Sequence, residues 1–229
     1  MGLRFEELDW QQTPLGEFTL RRRRELAVDR DVYEVKLNDE FLMSSLFTVA
    51  EIELARLALA ELGRADLRVL VGGLGLGYTA QAALADPRVA EVTVIEAAEP
   101  VLDWHRRDLF PDTIGLATDP RVRLVHDDFF RLVAGVPDRR YDAILLDIDH
   151  TPDHHLDRTH GDFYTPAGLT AMSQHLTADG VFALWSDDPP DDDFLAVLRT
   201  EFARVRGTVV SFANPITDSE SSNSIYLAR

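Results

Sequence analysis

Apolar residues change their spacing near Gly63, and the change divides the chain. From Leu15 to Ser45 they alternate with polar ones through Phe18 to Leu20, the run Arg21 to Arg24, and then Val32, Val35 and Leu37, with turn residues at Asn38-Asp39-Glu40. A period of two closed by turn chemistry predicts a small β-hairpin or meander. In a strand the four arginines alternate faces, so a solvated edge strand is their expected place, with phosphate binding as the alternative. Thr48 and Glu51 have the spacing of a capping box, and Ile52, Ala55, Leu59 and Leu62 recur at helical spacing. A helix is therefore expected from Thr48 to the stop at Gly63.

Beyond Gly63, short β-rich apolar runs alternate with helical stretches. Strands are expected at Leu67 to Val71, Val92 to Ile95, Val122 to Val125, Ala143 to Leu146, Val181 to Trp185 and Val209 to Phe212. Helices are expected at Thr79 to Ala85, Glu99 to Leu109, Pro166 to Leu176 and Phe194 to Arg204, with Thr165-Pro166 as an N-cap followed by a first-turn proline. Ser224 to Ala228 reads as a last strand returning antiparallel to the one before it. The alternation implies an α/β fold with a doubly wound, mostly parallel seven-stranded sheet. Residues 1–47 are expected to form a β appendage to a catalytic domain at 48–229.

Composition narrows the chemistry. Forty acidic residues against 23 basic ones leave a formal charge of −17, which argues against a general grip on nucleic acid and favours cationic small molecules. The absence of cysteine removes disulfides, thiolate metal sites and thiol nucleophiles. No apolar run reaches the length of a membrane span and MGLRFEELDW lacks a signal core, so the cytoplasm is the expected location.

The candidate site begins where strand Val69-Leu70-Val71 enters Gly72-Gly73-Leu74-Gly75-Leu76-Gly77 and then a helix. Glycines belong there because a ligand must approach the backbone at dihedrals that a Cβ obstructs. Gly73, Gly75 and Gly77 fit an S-adenosylmethionine-type loop, and Gly75-x-Gly77-x-x-Ala80 also fits the dinucleotide pattern. Glu96 closes the next strand, where a carboxylate accepts both ribose hydroxyls of an adenosine. Asp128 follows the third strand, where it can accept an adenine amino group. Asp147 ends the apolar strand Tyr141-Asp-Ala-Ile-Leu-Leu-Asp, at the sheet edge where ligands of open α/β sheets gather, and is the leading catalytic candidate.

These residues resemble the spermidine synthases (polyamine aminopropyltransferases), relatives of the class I S-adenosylmethionine-dependent methyltransferases. The resemblance runs through the glycine loop, Pro87-Arg88-Val89 before Thr93-Val94-Ile95-Glu96, Asp119-Pro120-Arg121-Val122 leading to Asp128, and Tyr141-Asp142 leading to Asp147. Asp162-Phe163-Tyr164 and Leu176-Thr177-Ala178-Asp179-Gly180 continue it. It implies a Rossmann-like fold and aminopropyl transfer from decarboxylated S-adenosylmethionine to a small cationic amine, without a metal. It also implies ribose contact by Glu96, adenine contact by Asp128, catalysis by Asp147 with Asp149 as an auxiliary anchor, and assembly as a dimer or larger oligomer. Three features depart from the family pattern. Leu76 stands where its glycine loop usually carries an aspartate, Asp147-Ile148-Asp149 alters the spacing of its catalytic loop, and its Tyr-His-Glu stretch is not evident around Phe47 to Leu54.

Methyl transfer from S-adenosylmethionine is the alternative. Asp147-x-Asp149 with Asp187-Asp188 resembles the magnesium site of metal-dependent O-methyltransferases. A non-catalytic paralogue that binds adenosyl ligands or polyamines is the third possibility. His150, Asp153, His154, His155, Asp157, His160 and Asp162 read as a solvated loop closing over the site, or as transition-metal ligands. Trp185 is expected to line the acceptor pocket or cap the core.

Overall fold

The computed structural model describes residues 5–148 and 158–229, and their strands form two sheets. The first is an antiparallel meander of β1 (Phe5–Thr13), β2 (Gly16–Glu25), β3 (Arg30–Leu37) and β4 (Glu40–Ser44), paired in that order. β1 lies ahead of the expected hairpin. Its sequence, FEELDWQQT, buries no side chain fully, so pairing with β2 holds it rather than an apolar face of its own.

That extra strand overturns the edge position expected for the arginines. β2 lies between β1 and β3, and its arginines meet acids from both flanks. Arg21 and Arg23 reach the buried Glu34 at 2.7 and 2.5 Å, Arg22 reaches Glu6 at 2.5 Å, and Arg24 reaches Asp29 in the following turn at 2.6 Å. Opposite charges on facing strands satisfy the run, a complementarity that no single strand reveals.

The second sheet has the order β10-β11-β9-β8-β5-β6-β7. Its strands are β5 (Leu67–Gly72), β6 (Val89–Glu96), β7 (Val122–His126), β8 (Tyr141–Leu146), β9 (Leu176–Ser186), β10 (Val205–Asn214) and β11 (Ser219–Ala228). β5 through β9 pair in parallel, and β11 lies antiparallel between β9 and β10. This is the expected doubly wound sheet, with the last strand returning as anticipated. Every residue of β8 is buried, as in a strand covered on both faces.

Helices α1 (Val49–Ala60), α2 (Tyr78–Ala85) and α3 (Glu99–Arg106) cover one face, sharing a core with Phe18, Leu20 and Val35 of the small sheet. The indole of Trp104 on α3 donates to Asp9 on β1 at 2.6 Å. Helices α4 (Phe129–Ala134), α5 (Pro166–Ser173) and α6 (Asp192–Leu198) pack a second core on the other face.

Several boundaries differ from expectation. Thr48 occupies the N-cap of α1 without a side-chain capping bond, so the capping box is not formed. α3 ends before Leu109, with Asp108 turning to φ +52°. α5 ends at Ser173 and Leu176 already opens β9. α6 begins at Asp192, where Asp191 caps the amides of Asp193 and Phe194, and it stops at Leu198 rather than Arg204. The short α4 had no expected counterpart. Among the described residues no helix is long and apolar enough to cross a membrane.

From β5 the chain builds outward through β6 to β7, then crosses back to add β8 on the opposite side of β5. The crevice beyond the C-terminal ends of β5 and β8 is thus the topological switch point, where open α/β sheets bind ligands.

Candidate active site

The glycine loop joins β5 to α2, with φ of +90°, +51° and +90° at Gly73, Gly75 and Gly77. It is fitted closely to the end of β8. The amide of Asp147 donates to the Gly72 carbonyl at 2.8 Å, and a Cβ on Gly73 would stand 2.0 Å from the Asp147 carbonyl oxygen. On the other side, a Cβ on Gly77 would meet His105 at 2.8 Å. Burial pushes the His105 imidazole down to about 4, against the hydrogen bond to Gly75, so the ring is neutral near pH 7. Its Nε2 lies 2.9 Å from the Gly75 carbonyl, a contact that requires the proton on that nitrogen. His105 therefore props the loop from beneath, a role its sequence neighbours do not signal.

The strand-end carboxylates follow the sheet order. Glu96, ending β6, accepts from the amides of Leu74 at 2.8 Å and Ala98 at 2.7 Å. Its burial raises its pKa while those backbone donors oppose the rise. Asp128 caps α4, taking the amides of Phe130 and Arg131 at 2.8 and 3.2 Å, both on Oδ1. It borders a cavity of about 260 Å³ with Phe130, Phe163 and Gly168.

Asp147 borders a separate, larger cavity of about 590 Å³, together with Gly75 and Gly77. Glu96 and Asp128 do not line it, so the sequence-predicted carboxylates share one rim but not one cavity. Asp149 and the segment from His150 to Asp157 lie outside the described residues. Among the described residues no three His, Asp or Glu side chains converge to hold a metal ion.

The larger cavity is closed by both sheets. Phe41 and Met43 come from β4, Phe47 and Glu51 from the entry to α1, and Phe212 and Asn223 from the β10–β11 hairpin. Trp185 lines it as well, and its buried indole N–H has no partner among the described residues. The described lining carries three carboxylates, Glu51, Asp147 and Asp187, and no lysine, arginine or histidine. Asp187 accepts from Asn223 at 2.7 Å. The Tyr78 phenol is pushed upward by burial and by Asp112, to which it donates at 2.7 Å, and stays neutral. The hydroxyl of Thr79, fully inside the protein, lies 2.5 Å from Asp147 Oδ2 and 3.1 Å from the Glu51 backbone carbonyl.

Glu51 is the functional candidate the sequence did not reveal, because its local spacing is that of a helix cap. Burial, and then the charge of Asp147, push its carboxyl up to about 8. Leu76 lines the cavity too, and the loop from Gly72 to Gly77 contains no carboxylate. The carboxyl groups facing the cavity come from α1 and from the ends of β8 and β9 instead.

A spermine/spermidine synthase domain matches residues 54–192. Among solved structures, a spermidine synthase in complex with the transition-state analogue AdoDATO has a TM-score of 0.74 at 20% identity, covering 97% of this chain and 73% of that one. The spermidine synthase from Thermotoga maritima gives the same score and identity, with 72% of that chain covered. Putrescine N-methyltransferase 2 from Nicotiana tabacum is 34% identical over 80 residues, 35% of this chain and 22% of the relative. The enzyme of that name from Nicotiana attenuata matches equally over 80 residues, so this chain spans only about a fifth of the length of these relatives.

Proposed function

The chain belongs to the spermine/spermidine synthase family, and on that premise we propose that it transfers an alkyl group from an adenosyl sulfonium to an amine. The leading form is aminopropyl transfer from decarboxylated S-adenosylmethionine. The observation that carries it is the larger cavity itself, with three carboxylates and no cationic side chain on its described walls, at the switch point beside the glycine loop. Such walls attract a cation and leave one unopposed.

The donor's sulfonium is a leaving group already activated, so the protein must chiefly orient two reactants and remove a proton from the amine. In this proposal the adenosine lies along the rim. Glu96 turns from the loop amides to the ribose hydroxyls. Asp128 keeps Oδ1 on the α4 amides and offers Oδ2 to the adenine amino group. Asp147, held by Thr79, orients the acceptor ammonium in line with the sulfonium carbon, with Asp149 as auxiliary anchor.

N-methyl transfer from S-adenosylmethionine is the second form, and one observation favours it. An aminopropyl donor carries its own ammonium, and the loop from Gly72 to Gly77 offers it no carboxylate. A buried charge without a partner is costly. Thermal shifts with the two donors separate the forms, since each stabilises only the protein that binds it. For either form, Asp147→Asn lowers turnover roughly 10²-fold or more, with donor affinity nearly unchanged. An unchanged rate would remove Asp147 from the mechanism.

A further inference from the structure

We propose that Glu51 and Asp147 work as one unit, sharing a single proton until a cationic amine enters, and that Glu51 then takes the amine's proton. The inference rests on the amine-transfer reading and adds to it a second carboxylate and a proton inventory.

The two side chains reach one cavity from different elements, Glu51 from the first turn of α1 and Asp147 from the end of β8. Thr79, in the first turn of α2, ties the two elements together, its hydroxyl lying against the Asp147 carboxylate and the Glu51 backbone carbonyl. The other titratable groups on the described walls are Asp187, which is acidic, and Tyr78, which is neutral. Both carboxylates face one cavity, where like charges disfavour a second ionisation, so in the empty site one carboxylate of the pair holds a proton. Burial and the neighbouring charge of Asp147 raise Glu51 to about 8, which places the proton there near pH 7.

A ligand ammonium supplies the missing positive charge. On its arrival Glu51 releases its proton to solvent, and two carboxylates face the R–NH3+ group. One N–H proton then passes to Glu51, leaving R–NH2. The nitrogen lone pair forms the new C–N bond as the C–S bond breaks, and that electron pair stays on sulfur. The sulfonium becomes a neutral thioether, the product is a secondary ammonium, and the pair again holds one proton. Glu51 suits the transfer better than an ordinary carboxylate, which lies about six pH units below an alkylammonium in proton affinity. Matching the acceptor's affinity to the donor's is what makes general-base transfer efficient.

The test is calorimetric titration of the donor-free full chain with putrescine at pH 7, in buffers of differing ionisation enthalpy. The wild-type protein is expected to release about one proton per amine bound. Glu51→Gln is expected to bind within roughly tenfold of wild type, release none, and lose roughly 10²-fold in kcat. Asp147→Asn provides a second measurement: with that charge gone Glu51 keeps the rise that burial causes and loses the part due to Asp147, so the pH above which proton release fades is expected to move down, and an unmoved profile overturns the pairing. Amine binding without proton release in the wild type, or release undiminished in Glu51→Gln, overturns the shared-proton unit while leaving amine transfer standing. Failure of putrescine to bind overturns amine recognition by the cavity, and this proposal with it.

Discussion

Replacing Gly73 with alanine would put a methyl group between the glycine loop and the end of β8. The added Cβ would lie 2.0 Å from the Asp147 carbonyl oxygen and 2.9 Å from its carbonyl carbon, with Ile148 Cγ1 at 3.1 Å. The first distance is about 1.4 Å short of the 3.4 Å at which ordinary contact begins, and the two nearest obstructing atoms are backbone. Relief therefore requires moving the strand that carries Asp147. The φ of +90° adds roughly 1–2 kcal/mol for a residue with a side chain. Overpacking adds roughly 1–3 kcal/mol, for a total of about 2–5 kcal/mol. Gly75→Ala is the matched control. Its φ of +51° falls in the left-handed well and its Cβ meets only Met43 Sδ at 3.5 Å, so it should lose only the roughly 1–2 kcal/mol of backbone strain. Urea unfolding at constant m-value measures both losses. Because a 1 Å misplacement at a reacting centre can cost about 10²-fold, Gly73→Ala should also lose that much turnover. Equal stability of the two variants, or full activity in Gly73→Ala, would refute the coupling between loop and strand.

Two further predictions concern ionisable groups away from the cavity carboxylates. His105 is depressed from 6.5 to about 4 by burial, so the unfolded chain binds a proton that the folded one refuses. Its contribution is fully present above pH 6.5 and is lost as pH falls toward 4, by about 3 kcal/mol at most. Urea midpoints across that window should flatten in His105→Gln, and an unaltered slope would show that other groups dominate acid unfolding. Glu34→Gln takes the shared carboxylate from Arg21 and Arg23 and should lower stability by roughly 1–3 kcal/mol. Its melting temperature checks this, and a loss erased by moderate salt would mean the pairs behave as screened surface charges.

The parallel sheet, the glycine loop and the acids at strand ends were legible in the sequence. Each is written in a local signal: an apolar run of strand length, glycines where φ turns positive, a carboxylate directly after an apolar stretch. Gly73 and Asp147 were both singled out, and the structure brings them into contact. β1 was not legible, because a strand held by pairing rather than by burial has no periodic apolar face to display. For the same reason the arginines of β2 were assigned to an edge, since the acids that answer them lie on neighbouring strands and in the turn beyond.

Glu51 marks the boundary between the two kinds of knowledge. Its spacing from Thr48 describes a helix cap, and only folding sets it across a cavity from a carboxylate 96 positions later in the chain. The sequence alone determined which residues could carry chemistry and on which class of sheet. Tertiary structure decided which of them share a dielectric environment, and charge interacts through space rather than along the chain.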